Sequence, residues 1–253
     1  MPRLALISDI HGNCVALEAV LADATVQGAD EIVCLGDVGA GGPQPREVIR
    51  RLRELGCPAV RGNADGWLLD GLPPGRSDAT RRLGDVVSWA RALLTADERV
   101  YLATLPPTLT IAVGDWTLLC CHGSPRAEVD AVLAVTPDAE LDELLADAPA
   151  ADALVCGHTH LQLLRRRRRG LLLNPGSVGL PLGSLAARAG GMSLPAWAEY
   201  AIVEVEGGDV ELVFRRVPVD VDALAAATAA MPQSSWASDL ERRIVRWNAG
   251  VVA

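Results

Sequence analysis

Aromatic residues are scarce in this chain, with one Phe, two Tyr and six Trp among 253 residues. A hydrophobic core therefore has to be assembled from Leu, Val, Ile and Ala. No uninterrupted apolar run reaches the roughly 18 residues of a membrane-spanning helix. The amino terminus, MPRLALISD, lacks the layout of a signal peptide, and a cytoplasmic location is expected. Positive charge is also short. Lys and Arg number 23 against 32 Asp and Glu, for a net charge of −9, and a field of that sign repels polyanions. General nucleic-acid binding and attachment to an anionic membrane are thereby disfavoured. The six cysteines (14, 34, 57, 120, 121 and 156) contain no C-x-x-C pair, and four lie in apolar runs, where a free thiol behaves as a small core residue. Neighbours such as Cys120 and Cys121 point to opposite faces of a strand. No disulfide framework is expected, and all six are read as reduced.

What the chain does have is a repeated syntax. Half of its residues are apolar, enough for a sizeable core, and five short apolar runs each end in a polar turn. Arg3–Ser8 runs into Asp9-Ile10-His11-Gly12-Asn13, Ile32–Leu35 into Gly36-Asp37, and Ala59–Arg61 into Gly62-Asn63. Trp116–Cys121 runs into His122-Gly123-Ser124-Pro125, and Ala153–Cys156 into Gly157-His158-Thr159-His160. Helical patterns separate several of these runs. CVALEAVLADA follows the first, with either Val15, Ala19 and Ala22 or Leu17 and Leu21 on one side. PREVIRRLREL follows the second, with Pro45 suited to a first turn and Gly56 to a stop. The alternation predicts an α/β fold with a mostly parallel, buried sheet, in which ligands bind beyond the carboxyl ends of the strands. The rhythm breaks at about 64–114, a helical excursion with one helix over Asp78–Leu94 and a capping box at Thr95-Ala96-Asp97-Glu98. Two alternating segments around Gly207-Gly208 signal a hairpin, and an alanine-rich helical segment follows at about 220–253. With no repeat and no clear linker, residues 1–253 are read as a single domain.

The chain has four histidines, His11, His122, His158 and His160, and each sits in one of these turns. His158 and His160, two residues apart, can converge on one small volume. With Asp9, Asp37 and Asn63 they make seven strand-end groups of carboxylate, amide oxygen and imidazole, without thiolate. That mixed set suits two divalent transition-metal ions, Mn, Fe, Zn or Ni, and exceeds what one tetrahedral zinc takes. Two such ions, less two carboxylates and one hydroxide, leave a net charge of about +1, which attracts one phosphate group. A metal pair roughly 4 Å apart generates hydroxide at neutral pH and clamps the oxygens of an in-line displacement. Hydrolysis of a small phosphoester by a metal-bridging hydroxide is the expected reaction.

The order Asp-x-His at 9–11, Gly-Asp at 36–37, Gly-Asn at 62–63, His-Gly at 122–123 and Gly-His-x-His at 157–160 resembles the calcineurin-like metallophosphoesterase superfamily. The longer matches at 9–13, His122-Gly123-Ser124-Pro125-Arg126 and Asn174-Pro175-Gly176-Ser177-Val178-Gly179 are similar to its small prokaryotic phosphodiesterase branch, over about residues 3–215. The resemblance implies a sandwich of two mixed β-sheets flanked by helices. It also implies a division of ligands: Asp9, His11 and His160 on one metal, Asn63, His122 and His158 on the other, and Asp37 bridging. Asp37, Asn63 and His122 are read as catalytic as well as metal-binding. The superfamily often carries a His after Gly-Asn that assists the leaving group, whereas this chain reads Gly62-Asn63-Ala64-Asp65. Ala64 has no proton to donate, which favours diesters over monoesters and leaves Asp65 as the one neighbouring replacement acid.

Other readings stay open. A phosphomonoesterase or protein phosphatase is the nearest alternative, and a non-catalytic metal-binding scaffold on the same fold is the second. Asn13 and Arg126 either contact substrate phosphate or satisfy turn backbone and a neighbouring carboxylate. Residues 174–179 form either a phosphate-facing loop or a tight turn. The Arg165–Arg169 run is better read as a solvated strand edge than as a nucleic-acid patch.

Overall fold

The computed structural model describes residues 2–73, 78–168, 170–181 and 196–231. In chain order the elements begin with β1 (Arg3–Ile7), α1 (Cys14–Val26), β2 (Glu31–Cys34) and α2 (Pro45–Leu55). Three helices follow, α3 (Asn63–Asp70), α4 (Asp78–Leu93) and α5 (Ala96–Thr104), then β3 (Thr108–Val113), β4 (Trp116–Cys121) and α6 (Asp138–Leu144). The chain continues with β5 (Ala153–Val155), β6 (Gln162–Arg166), β7 (Leu171–Pro175), β8 (Trp197–Glu206), β9 (Asp209–Pro218) and α7 (Val221–Ala229). Most of the expected 220–253 helical segment, residues 232–253, lies outside the described residues.

The strands form two mixed sheets, ordered β2-β1-β8-β9 and β3-β4-β5-β7-β6. The mostly parallel sheet is therefore corrected. Only β1–β2, β4–β5 and β5–β7 pair in parallel, and the other four pairings among the described residues are antiparallel. The third apolar run forms no strand and makes a single bridge, Cys34 to Ala59. The expected helical excursion to about 114 ends instead in β3, which turns back on β4.

Alternation along β1 explains the layering. Leu4 and Leu6 join Val33, Cys120, Val155, Leu173 and Val203 in a core between the two sheets. Ala5 and Ile7 face the other way, into a core with Leu17, Val20, Ile49 and Leu102 from the helices. On the far side, α6 closes a third cluster over the second sheet, around Leu119, Cys121, Leu141 and Leu172. The result is four layers, with two sheets inside and helices on both outer faces. Each buried Leu or Ile contributes about 1.5–3 kcal/mol, which lets aliphatic residues replace the missing aromatics. Of the two sides offered for α1, the buried one carries Leu17 and Leu21.

Several local signals act as their chemistry dictates. Gly56 ends α2 in the left-handed conformation, Thr95 and Glu98 form a reciprocal capping box on α5, and Gly207 and Gly208 turn β8 into β9 with φ of 56° and 87°. All six cysteines are free. No helix among the described residues is long and apolar enough to cross a membrane.

The β8–β9 hairpin is tied to α1 by a polar cluster. The buried Tyr200 hydroxyl donates to Asp23 at 2.6 Å, and Arg215 donates to both oxygens of Asp23 at 3.0 and 2.8 Å. Asp23→Ala leaves a buried hydroxyl without its acceptor, so it should lower unfolding free energy by about 2 kcal/mol, read from the urea midpoint. An unchanged midpoint would mean that this cluster does not anchor the hairpin.

Candidate metal centre

The turns leaving β1, β2, β4 and β5 meet at one edge of the sandwich. Backbone hydrogen bonds knit them together: Asp9 N–H to Gly36 O at 3.0 Å, His11 N–H to Asp37 O at 2.8 Å, and Gly157 N–H to His122 O at 2.7 Å. Asp9, His11, Asp37, His158 and His160 all have φ between 48° and 65°, and no other non-glycine residue among those described has a positive φ. That conformation costs of order 1–3 kcal/mol per residue and is held only where surrounding structure demands it. The Gly before Asn63 and the Gly before His158 have a steric reason. A Cβ at Gly62 would overlap the Asp37 carboxylate, and one at Gly157 would overlap the Ser8 hydroxyl.

These turns bring the side chains together. His11 Nε2 lies 3.1 Å from His160 Nε2, and Asp9 Oδ1 lies 3.3 Å from His160, 3.8 Å from His122 and 3.9 Å from His11. Asp37 Oδ2 lies 3.3 Å from His122 Nε2 and 3.6 Å from His11 Nε2. Two groups of donor atoms are close enough to share an ion, Asp9/His11/His160 and Asp9/Asp37/His122. Asp9 is thus as central as Asp37. The His158 ring is edge-on to His122, with centroids 5.3 Å apart, and its own backbone N–H donates to Asp9 Oδ2 at 3.0 Å.

Three imidazoles are oriented alike. The Nδ1 atoms of His11, His122 and His160 lie 2.7 Å from the carbonyls of Ala40, Leu35 and Leu180. A proton on each Nδ1 turns the Nε2 lone pair towards the centre, the arrangement that orients a ligating histidine. Buried polar atoms without partners are rare. Yet Asp9 Oδ1, Asn63 Oδ1 and His122 Nε2 are three of the seven such side-chain atoms among the described residues. A carboxylate oxygen, an amide oxygen and an imidazole nitrogen are each donors that divalent cations accept.

Charge inside the cluster is strongly coupled. Burial alone would raise Asp9, but His160, His122 and His11 outweigh it and hold the carboxyl well below its usual range. Burial is likewise outweighed at Asp37, which His122 and His11 lower. Burial disfavours a charged His122, but the Asp37 and Asp9 carboxylates push it up to about 10. For His11 burial prevails over the carboxylates and lowers it, and burial with the nearby His122 lowers His158.

Asp65 has a supporting role that the sequence alone does not announce. Its Oδ2 accepts from Asp37 N and Gly62 N, both at 2.9 Å, and its Oδ1 from Val38 N at 2.8 Å. The carboxylate is fully buried and engaged in holding the Asp37 and Gly62 turns, and burial together with the Asp37 charge pushes it up to about 7. Its position in the first turn of α3 was the available signal. Ala64 is buried beside it, its N–H donating to Asp37 Oδ1 at 2.7 Å.

The remaining residues make contacts within the fold. Asn13 caps α1 by accepting from Ala16 N at 3.0 Å and donates to Gly179 O at 3.2 Å. The Arg126 side chain is mostly exposed and pairs with Asp130 at 3.1 Å. Residues 174–179 brace the Asp9 turn: Asn174 donates to Gly157 O at 2.6 Å, and Ser177 Oγ to Asp9 O at 2.8 Å. Arg165 and Arg166 lie on the edge strand β6, Arg165 pairing with Asp138. Arg169 lies outside the described residues.

A family model for the calcineurin-like phosphoesterase superfamily domain matches residues 3–208. The chain belongs to that superfamily. A metallophosphoesterase from Sphaerobacter thermophilus has the same fold, with 29% identity, a TM-score of 0.70 and 99% of each chain covered. The phosphodiesterase YfcE of Escherichia coli K12 is 29% identical over 200 residues, 75% of this chain and 86% of that protein. An uncharacterised protein of Methanocaldococcus jannaschii, MJ0912, is 28% identical over 237 residues, 86% of this chain and 88% of its own. As a calcineurin-like phosphoesterase the protein is a hydrolase of phosphate esters, from a superfamily that works with divalent metals.

The raised His122 sets a pH dependence. An ordinary imidazole titrates at 6.5 and the folded His122 at about 10, so its contribution to stability is complete below about 6.5 and fades as pH climbs towards 10. Chelator-treated protein should therefore lose stability across that window. Mn²⁺ added at pH 7 must displace the proton, and calorimetry in buffers of different ionisation enthalpy should register its release. Uptake without proton release would contradict the coupling between His122 and the carboxylates.

Proposed function

We propose that this protein is a dinuclear, divalent-metal-dependent phosphodiesterase acting on small phosphoesters. The observation that carries the reading is the trio of buried, unpartnered donor atoms, Asp9 Oδ1, Asn63 Oδ1 and His122 Nε2, set among imidazoles already turned by backbone carbonyls. Asp9, His11 and His160 would hold one ion, and Asn63, His122 and His158 the other. Asp37 would bridge, since its Oδ2 is within 3.6 Å of imidazoles from both sets; the central place of Asp9 makes it the competing bridge. Two such ions, when bound, make water a nucleophile at neutral pH and draw charge from the phosphate oxygens. Ion identity is left among Mn, Fe, Zn and Ni by this N/O donor set.

The residues of the chain supply the rest. Carbonyls of Leu35, Ala40 and Leu180 keep three imidazoles in the ligating tautomer, and Asp65 keeps the Asp37 turn in place. Ala64 has no proton to offer, and both Asp65 oxygens are engaged by backbone N–H groups, so in this reading the leaving group departs as an anion. This supports diesters with acidic leaving groups over alkyl monoesters, and it separates the reading from a phosphomonoesterase.

A positioned general acid contributes about 10²–10⁴ in rate when the leaving group needs a proton. Rates on a series of aryl and alkyl phosphodiesters should therefore fall steeply as leaving-group pKa rises. Ala64→His should flatten that slope and raise alkyl turnover by at least about tenfold. A shallow slope in the unaltered protein would overturn the missing-acid argument, and activity that survives exhaustive chelation would overturn the metal-dependent reading.

A further inference from the structure

One ion pair stands beside the donor set without belonging to it. Arg61 Nε donates to Glu128 Oε1 at 2.7 Å, with the two side chains 36% and 23% exposed. Arg61 immediately precedes Gly62-Asn63, and its N–H is held by Pro106 O at 2.8 Å. Glu128 lies in the loop that leaves His122. That loop is tightly wound: Ser124 N–H donates to Ala127 O at 2.9 Å, and Ser124 Oγ accepts from the N–H groups of Arg126 and Ala127. The carbonyls of Ala127 and Glu128 close over Gly123, leaving no room for a Cβ there. The pair thus joins the turn carrying Asn63 to the loop carrying His122.

Other bonds also hold this half of the centre, the Leu35 carbonyl on His122 and Asp65 on the Gly62 N–H. Among the described residues, though, only the ion pair ties the two segments to each other, and the Asp9 half has no such charged tie. Backbone bonds from Val178 N to Ser8 O at 2.9 Å and from Gly179 N to Asp9 O at 3.0 Å secure the Asp9 turn. The Leu180 carbonyl secures His160. Those bonds do not depend on any side-chain charge. Asn63 is different, because a neutral amide oxygen binds a cation weakly and depends on accurate placement relative to its neighbours.

We propose that the Arg61–Glu128 pair is a positioning device that sets the spacing of Asn63 and His122, and with it the affinity of the one ion those residues share. The inference rests on the two-ion reading above. A part-exposed pair is worth little to the fold, so its removal should leave the protein folded while loosening this one distance.

The test is a Mn²⁺ titration by calorimetry, with metal content after gel filtration, on the full chain and on Arg61→Gln, Glu128→Gln, the double variant and Arg61→Lys. The full chain should take up two ions. Each Gln variant should keep one at unchanged affinity and bind the second roughly three- to tenfold more weakly, and the double variant no more weakly than either single. Excess Mn²⁺ should restore kcat with KM unchanged, and Arg61→Lys should retain most of the second-ion affinity. Equal weakening of both ions, or of neither, would overturn the inference. So would a raised KM in Arg61→Gln alone, which would make Arg61 a substrate contact. A full chain that takes up no second ion would instead overturn the two-ion reading itself.

Discussion

Two carboxylates, Asp9 and Asp37, are buried to 0% and 2% exposure within 4 Å of imidazoles from three separate turns. Concentrated buried charge of this kind is costly unless it is paired and coordinated. Much of the surrounding structure answers that cost. Five turn residues accept left-handed backbone to aim their side chains inward, and glycines at 62 and 157 give way to neighbouring polar atoms. Three carbonyls fix imidazole orientation. A third carboxylate, Asp65, is buried with burial and Asp37 pushing it up to about 7, and three backbone N–H groups hold it where it pins the Asp37 turn.

Supporting this cluster from two sheets at once explains why the fold is a sandwich. Asp9 and Asp37 follow strands of one sheet, His122 and His158 follow strands of the other, and the aliphatic core between them holds the two strand ends at a fixed separation. Interiors at native packing density deform little, so donor spacing is inherited from the core. Leu4, Leu6, Val155 and Val203 of that core therefore support the placement of the polar residues at the rim.

The donor residues could be found in the sequence because each follows a short apolar run directly, and a strand followed by a turn is a local pattern. The hairpin at Gly207-Gly208 and the capping box at Thr95 were equally local. Sheet membership was not. Both faces of β1 are apolar, so its sequence says that it is buried but not that it divides two cores. The strand Thr108–Val113 lies in a stretch whose sequence pattern is dominated by three helices, and its one strand signal is Gly114-Asp115, which closes a two-residue hairpin onto β4. The roles of Asp65, Asn13 and Arg126 depend on which backbone groups and carboxylates lie opposite them in space, and nothing in their neighbours along the chain reveals that. Ala64 could be seen, because an absent side chain needs no partner.

The account turns on two ions sharing one cluster, and anomalous X-ray diffraction from crystals grown with Mn²⁺ addresses it most directly. It predicts two peaks roughly 3.5–4 Å apart, one against Asp9, His11 and His160, the other against Asn63, His122 and His158, with Asp37 between them. A single peak, or peaks that leave Asn63 and His122 without an ion, would contradict it.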